Sequence, residues 1–186
     1  LLEVPFNQEW RKDLIIQETI KKDEFIALFY NTENPKFEDK NFRQSLTYTI
    51  PNKPKGEKRT YGPLNPNSWA YNENVKKYLY DPQHAVSLLE GDNSAKTDLK
   101  INTSQPFLSL AEEIKRSWEE NLPVTVHIEV INTLPEEYEI FLGIQKIPPD
   151  PDQYLFWHST RSENITNFKS PKIDKILEDG RRTIDI

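Results

Sequence analysis

The chain has no cysteine. That removes disulfides, thiolate chemistry and cysteine metal sites together, without fixing the compartment. Glycine is nearly as scarce, at five residues, and no G-x-G-x-x-G, P-loop or G-x-S-x-G pattern occurs, so a glycine-built phosphate cradle has little room to exist. The three histidines, His84, His127 and His158, are scattered. None stands at metal spacing from another histidine or a carboxylate, so no metal and no cofactor is expected. Basic residues are outnumbered 24 to 30, for a net charge of −6. A nucleic-acid binder needs a basic surface to displace counterions, so that class is set aside and only a local basic patch remains open. No apolar run approaches bilayer length, and no repeat or low-complexity tract is present.

What is present is a chain of 186 residues, 35% hydrophobic and 11% aromatic, with 14 prolines. That is enough for one domain with a real core and stiff connections. The organising stretch is Tyr138 to Leu177. Tyr138 to Ile144 is almost wholly apolar and of strand length, which suits a strand covered on both faces. Pro148, Pro149 and Pro151 then forbid regular structure and make a rigid loop carrying Asp150 and Asp152. An aromatic cluster follows, Tyr154, Phe156 and Trp157. A rigid loop beyond a buried strand is where open α/β sheets place ligands.

Elsewhere the periodicity is readable. Residues 13–20 are undecided between strand and helix turn. Glu24 to Asn31 is apolar on both faces and predicts a central strand. Asn34-Pro35 makes a turn. Asp39 caps a helix over Lys40 to Thr49, with Phe42, Leu46 and Ile50 on one face. The segment from Pro51 to Pro82 has no period: a basic tip at Lys53 to Arg59, then a proline-braced loop with Trp69 and Tyr71. Asp81-Pro82 opens a helix that stops at Gly91. Leu99 to Thr103 reads as a strand. Ser109 and Glu112 have capping-box spacing ahead of an amphipathic helix with Trp118 in the core. Val124 to Ile131 alternates as a strand. Strand, helix, strand at this spacing is a βαβ unit with parallel strands. A final helix from Pro171 to Asp179 turns Ile173, Ile176 and Leu177 inward and stops at Gly180. The fold class is α/β: a mixed, mainly parallel sheet with helices on both faces.

Five motifs occur in a characteristic order: ALFYNTENPKFEDKNFRQSLTYTIP, YGPLNPNSWAY, YLYDPQHAVSLLEG, the βαβ unit from Leu99 to Ile131, and NITNFKSPKIDKILEDGRRTID. Together they resemble the extracellular solute-binding proteins of ABC importers, oligopeptide/dipeptide-binding class. The resemblance implies one lobe of a two-lobe periplasmic-binding-protein-like fold. The chain matches the lobe distal to the termini, as a single domain excised from a larger receptor; it begins at Leu1 without methionine or signal peptide.

The implied function is binding, not turnover: one wall of an interlobe cleft for a peptide or other small polar solute. The implied partners are the remaining lobe and a membrane permease, and the implied location is the periplasm or a cell-surface lipoprotein. The candidate ligand-binding residues are Asn31, Trp69, Tyr71, Gln145, Ile147, Pro148, Tyr154 and Trp157. Peptide-binding members carry an amine-anchoring Asp where this chain has Ile147, and an aliphatic side chain cannot hold an ammonium group. A lone lobe is expected to bind weakly or not at all. Two other readings stand beside this one: a free-standing interaction module docking through the aromatic loop, and a hydrolase built on Asp150 and Asp152. The receptor lobe should bring its first and last segments together; the hydrolase needs its two carboxylates to converge on one pocket.

Overall fold

A four-stranded sheet forms from β1 (Glu24–Tyr30), β2 (Thr97–Thr103), β3 (Val124–Val130) and β4 (Ile140–Lys146), in the order β1-β4-β2-β3. The computed structural model describes residues 21–51, 59–89 and 96–183. The expectations for residues 13–20, for most of the basic tip and for the stop at Gly91 lie outside them. β2 pairs parallel with both β3 and β4, and β1 runs antiparallel to β4. The sheet is therefore mainly parallel, and the βαβ unit forms as its spacing predicts.

The helices are α1 (Lys40–Tyr48), α2 (Pro82–Ser87), α3 (Leu108–Asn121), α4 (Tyr154–Trp157) and α5 (Pro171–Arg182). One sheet face carries Leu99, Ile101, Val124, Val126, Ile140 and Leu142, all buried against Leu46, Ala85, Ala111 and Trp118 of the first three helices. On the other face Phe29 stacks on Phe141 with ring centroids 6.1 Å apart, and a Cβ on Gly143 would collide with the Phe141 ring. Among the described residues β3 ends the sheet, and α3 engages its outer backbone at Val126: Lys115 Nζ donates to the Val126 carbonyl at 2.6 Å and Glu119 accepts from the Val126 amide at 2.8 Å. An edge strand so occupied is a poor template for further pairing.

Asp39 caps α1 by accepting from the amides of Asn41 and Phe42, and Asp81 caps α2 by accepting from His84 N–H, both as their spacing predicts. Four expectations are corrected. First, β1 is an edge strand among the described residues, and β4 is the central one. Apolar residues on both faces of β1 report the core on one side and the Phe29–Phe141 stack on the other, not its lateral place. Second, Ser109 is no cap. A 3-10 turn at Gln105–Phe107, set by Pro106, starts α3 earlier, and Ser109 lies inside the helix.

Third, α5 passes through Gly180 to Arg182. A mid-helix glycine costs about 1 kcal/mol, but Arg181 anchors the last turn, its Nε 3.2 Å from Asp152 and its guanidinium 4.4 Å from the Tyr154 ring centre. Fourth, Ile173 and Ile176 do not turn inward; they are 36% and 59% exposed. The docked face of α5 is polar. Asp174 accepts from Ser159 N–H and O–H, at 2.9 and 2.6 Å, Glu178 meets the buried His158 at 3.3 Å, and Arg181 follows at the same helical spacing. The Ser159 hydroxyl, then its amide, hold the Asp174 carboxyl below the usual carboxylate range.

Candidate functional site

The carboxyl ends of the parallel strands, where open sheets bind ligands, are met at β4 by the start of the antiparallel β1. Glu24 lies opposite Lys146, and one residue further the Ile147 amide donates to the Asp23 carbonyl at 2.7 Å. The prolines then turn the chain away. Asp150 accepts from Asp152 N–H and Asp152 from Tyr154 N–H, each at 2.9 Å, so the two acids serve as turn caps that launch α4. The second Asp152 oxygen faces Arg181.

These elements leave an open concavity of about 400 Å³ lined by Asp23, Lys146, Ile147, Pro148, Pro149 and Phe156. Its lining is mostly apolar, with Ile147, the two prolines and Phe156, and it carries one basic and one acidic residue. Gln153, at the head of α4, accepts from Trp157 Nε1 at 3.1 Å, while its own Nε2 is buried with no partner. The proline-braced loop is tied to the same corner, Asn65 Nδ2 donating to the Lys22 carbonyl at 2.9 Å.

The eight candidate residues do not all meet there. Ile147 and Pro148 line the concavity. Gln145 lies two residues from Ile147 and spends its amide on the Lys146 carbonyl, 3.1 Å away. Tyr154 packs into the α4–α5 contact, its ring 4.4 Å from that of His158 and beneath Arg181, and Trp157 is held by Gln153. Trp69 projects into solvent at 76% exposure, two residues from the partly buried Tyr71.

Asn31 is remote. Tyr30 lies opposite Ile140, so Asn31 sits at the far end of the sheet, on the order of 20 Å from Lys146 at the usual strand rise. Its polar atoms are all used. Nδ2 donates to the Tyr138 carbonyl at 2.9 Å, Oδ1 accepts from Asn167 at 3.0 Å, and the amide donates to Glu139. Asn31 is a bracket holding residues 138–139 and the turn at Asn167, whose φ is 52°.

Asp23, Lys146, Pro149 and Phe156 are wall residues that sequence reasoning passed over. Phe156 was legible as part of the aromatic cluster. Asp23 and Lys146 become neighbours only through the antiparallel register of β1 on β4. The two acids do not converge on the concavity. Among the described residues no group of three or more His, Cys, Asp or Glu is placed to hold a metal. No described helix is long and apolar enough to cross a membrane.

A mainly parallel lobe with a ligand-sized corner beyond its central strand defines a class of fold, and comparison with known proteins gives the family. Residues 5–166 match the family described as bacterial extracellular solute-binding proteins, family 5 Middle, and the chain belongs to that family. It is 28% identical over 177 residues to heme-binding protein A of Haemophilus influenzae, an alignment covering 81% of this chain and 32% of that protein. Among solved structures, the ABC transporter substrate-binding protein CtaP of Listeria monocytogenes superposes with a TM-score of 0.79 at 20% identity, covering 88% of this chain and 38% of that one. NikZ of Campylobacter jejuni, solved with Ni(L-His), gives 0.72 at 21% identity over 89% and 40%. DppA of Helicobacter pylori, solved with the peptide STSA, gives 0.72 at 21% over 88% and 38%. The chain thus spans about one third of the length of its curated relative.

Proposed function

We propose that this chain is the distal lobe of a two-lobe extracytoplasmic receptor feeding an ABC importer, and that the concavity at the end of β4 is one wall of its interlobe cleft. One observation carries the reading: a largely apolar, open concavity of about 400 Å³ lies beyond the carboxyl end of β4, a strand that pairs parallel with β2, which is where open sheets place ligands. In a two-lobe receptor, hinge closure places such a concavity against the opposite wall. The exposed Ile173 and Ile176 on α5 fit a surface that further chain of the same receptor covers.

The solute is a peptide or other small molecule with an apolar portion for Phe156 and the prolines. Ile147 offers no carboxylate for an ammonium group, and Asp23 is the one acid among the described lining residues. The ligands named for the relatives, haem, Ni(L-His) and the peptide STSA, supply the first screening panel. The binding step uses no reaction, and the capping roles of Asp150 and Asp152 leave the hydrolase reading without a catalytic pair.

The test is calorimetry of that panel against the isolated chain and against the full-length receptor. One wall buries only part of a solute, so the isolated chain should show no submicromolar binding while the receptor binds at least one member of the panel. Submicromolar binding by the isolated chain would overturn the single-wall reading.

A further inference from the structure

A second concavity, of about 270 Å³, opens at the other end of the sheet between β1 and α1, lined by Tyr30, Lys40, Arg43, Gln44, Thr47 and Tyr78. Tyr30 pairs with Ile140 and Glu24 with Lys146, so this hollow is separated from the first by six register steps of strand. Among the described residues no carboxylate lines it. Lys40 and Arg43 on its wall can only donate, although Arg43 Nη1 already serves the Phe37 and Glu38 carbonyls. The Thr47 hydroxyl spends its hydrogen on the Arg43 carbonyl at 2.8 Å, so the Tyr30 hydroxyl, 3.5 Å from Thr47 Oγ1, is the donor of that long contact. The Tyr78 hydroxyl accepts from Gln44 Nε2 at 3.1 Å, which leaves its own hydrogen to point elsewhere.

The charges agree with the donors. Lys40 and Arg43 are on the wall, and Lys76 Nζ sits 4.8 Å from the centre of the Tyr78 ring. Arg59 also acts on the Tyr30 hydroxyl. Burial pushes that phenol up to about 12, with Thr47, Arg59 and Arg43 pulling the other way, so it is a donor at any physiological pH. The Arg59 Nη1 is buried with no hydrogen-bond partner. A buried cationic donor left unpaired is costly, and buried charges in native proteins are normally paired.

We propose that this hollow is a second site, taking a phosphate or carboxylate group. An oxyanion supplies what the wall lacks, several acceptor lone pairs and negative charge, and charge-assisted bonds from guanidinium and ammonium groups are its strongest contacts. The volume admits a group of several heavy atoms, several times the roughly 30 Å³ share of a water molecule. In a chain of net charge −6, a hollow walled by Lys40 and Arg43, with no carboxylate among its described lining residues and with Lys76 and Arg59 beside its two tyrosines, is a local reversal of sign, and such a reversal attracts anions.

The experiment is a titration of the chain with sodium phosphate, and separately with sodium succinate, followed by amide NMR against sodium chloride at equal ionic strength. Saturable shifts are expected at Gln44, Thr47 and Tyr78 with one or both oxyanions, and none with chloride. Arg59→Gln should weaken the affinity about fivefold or more, the loss of one charge-assisted contact. Lys40→Gln, at an exposed position, should weaken it about twofold and decides the matter should the Arg59 variant fail to fold. Shifts that do not saturate, that spread over the surface, that chloride reproduces, or that neither folded variant alters would overturn the proposal.

Discussion

Trp118→Ala is expected to cost roughly 3–5 kcal/mol of stability, the range for truncating a fully buried large aromatic. The side chain is wholly buried at the centre of the core. It also does polar work, since Nε1 donates to the Leu46 carbonyl at 2.9 Å while the adjacent Ser117 hydroxyl donates to the Thr49 carbonyl at 2.7 Å. Two consecutive residues of α3 thereby hold the last turn of α1, whose final carbonyls have no partner within their own helix. A loss of that size is a large fraction of a domain's marginal stability.

Trp118→Phe separates the two contributions. An aromatic ring remains, and the Thr49 hydroxyl, which shares its one hydrogen between the Ser45 and Leu46 carbonyls at 2.9 and 3.1 Å, can turn to the latter, so the cost should fall to about 1 kcal/mol for the hydrogen bond plus a little for the lost volume. Urea denaturation of the three proteins checks the order. Equal losses for the two variants would mean that the hydrogen bond, not the packing, fixes α3 on α1.

In the full-length receptor, Phe156→Ala should weaken binding of the solute at least tenfold. Phe156 is the one aromatic residue lining the first concavity among the described residues, and burying a phenyl ring against a ligand is worth roughly 1.5–3 kcal/mol. α4 holds it in place without its help, through the Asp152 cap, the Gln153–Trp157 bond and the Arg181 contact. The variant should therefore keep its melting temperature while losing affinity. Trp69→Ala is the control at an aromatic of similar size. Its ring stands in solvent, so the isolated lobe should not register its removal in stability. Loss of melting temperature in Phe156→Ala, with unchanged affinity, would assign that ring to the fold and not to the site.

These outcomes depend on features that differ in how far the residues reveal them. The βαβ unit, the Asp39 and Asp81 caps and the core place of Trp118 are local: each follows from spacing within about fifteen residues. The family resemblance was legible for the same reason, since its motifs sit on those caps and strand ends. The docking of α5 was not, because apolar periodicity assumes that the apolar face seeks the core. Here Asp174, Glu178 and Arg181 bind Ser159, His158 and Asp152 on either side of α4 instead, and Ile173 and Ile176 stay exposed.

The lining of the first concavity was half legible. Ile147 and Pro148 follow from the proline stop after an apolar strand. Asp23 and Lys146 belong to the wall only because β1 runs antiparallel to β4, a pairing between segments more than a hundred residues apart. Asn31 looked like a site residue because a polar amide at a strand end is free in sequence. In three dimensions each of its polar atoms is committed to residues 138–139 and 167.

The central claim is that the corner beyond β4 faces a solute when the receptor closes. This chain contains no cysteine, so Lys146→Cys, at an exposed position on the concavity wall, takes a single environment-sensitive fluorophore at that corner. In the full-length receptor, with any cysteine outside this chain replaced, the fluorescence should change saturably on addition of whichever member of the screening panel calorimetry shows to bind, with the same midpoint as the heat. Calorimetric binding with a silent label at position 146, and a responsive label at the remote Asn31→Cys position, would place the cleft at the other end of the sheet and contradict the account.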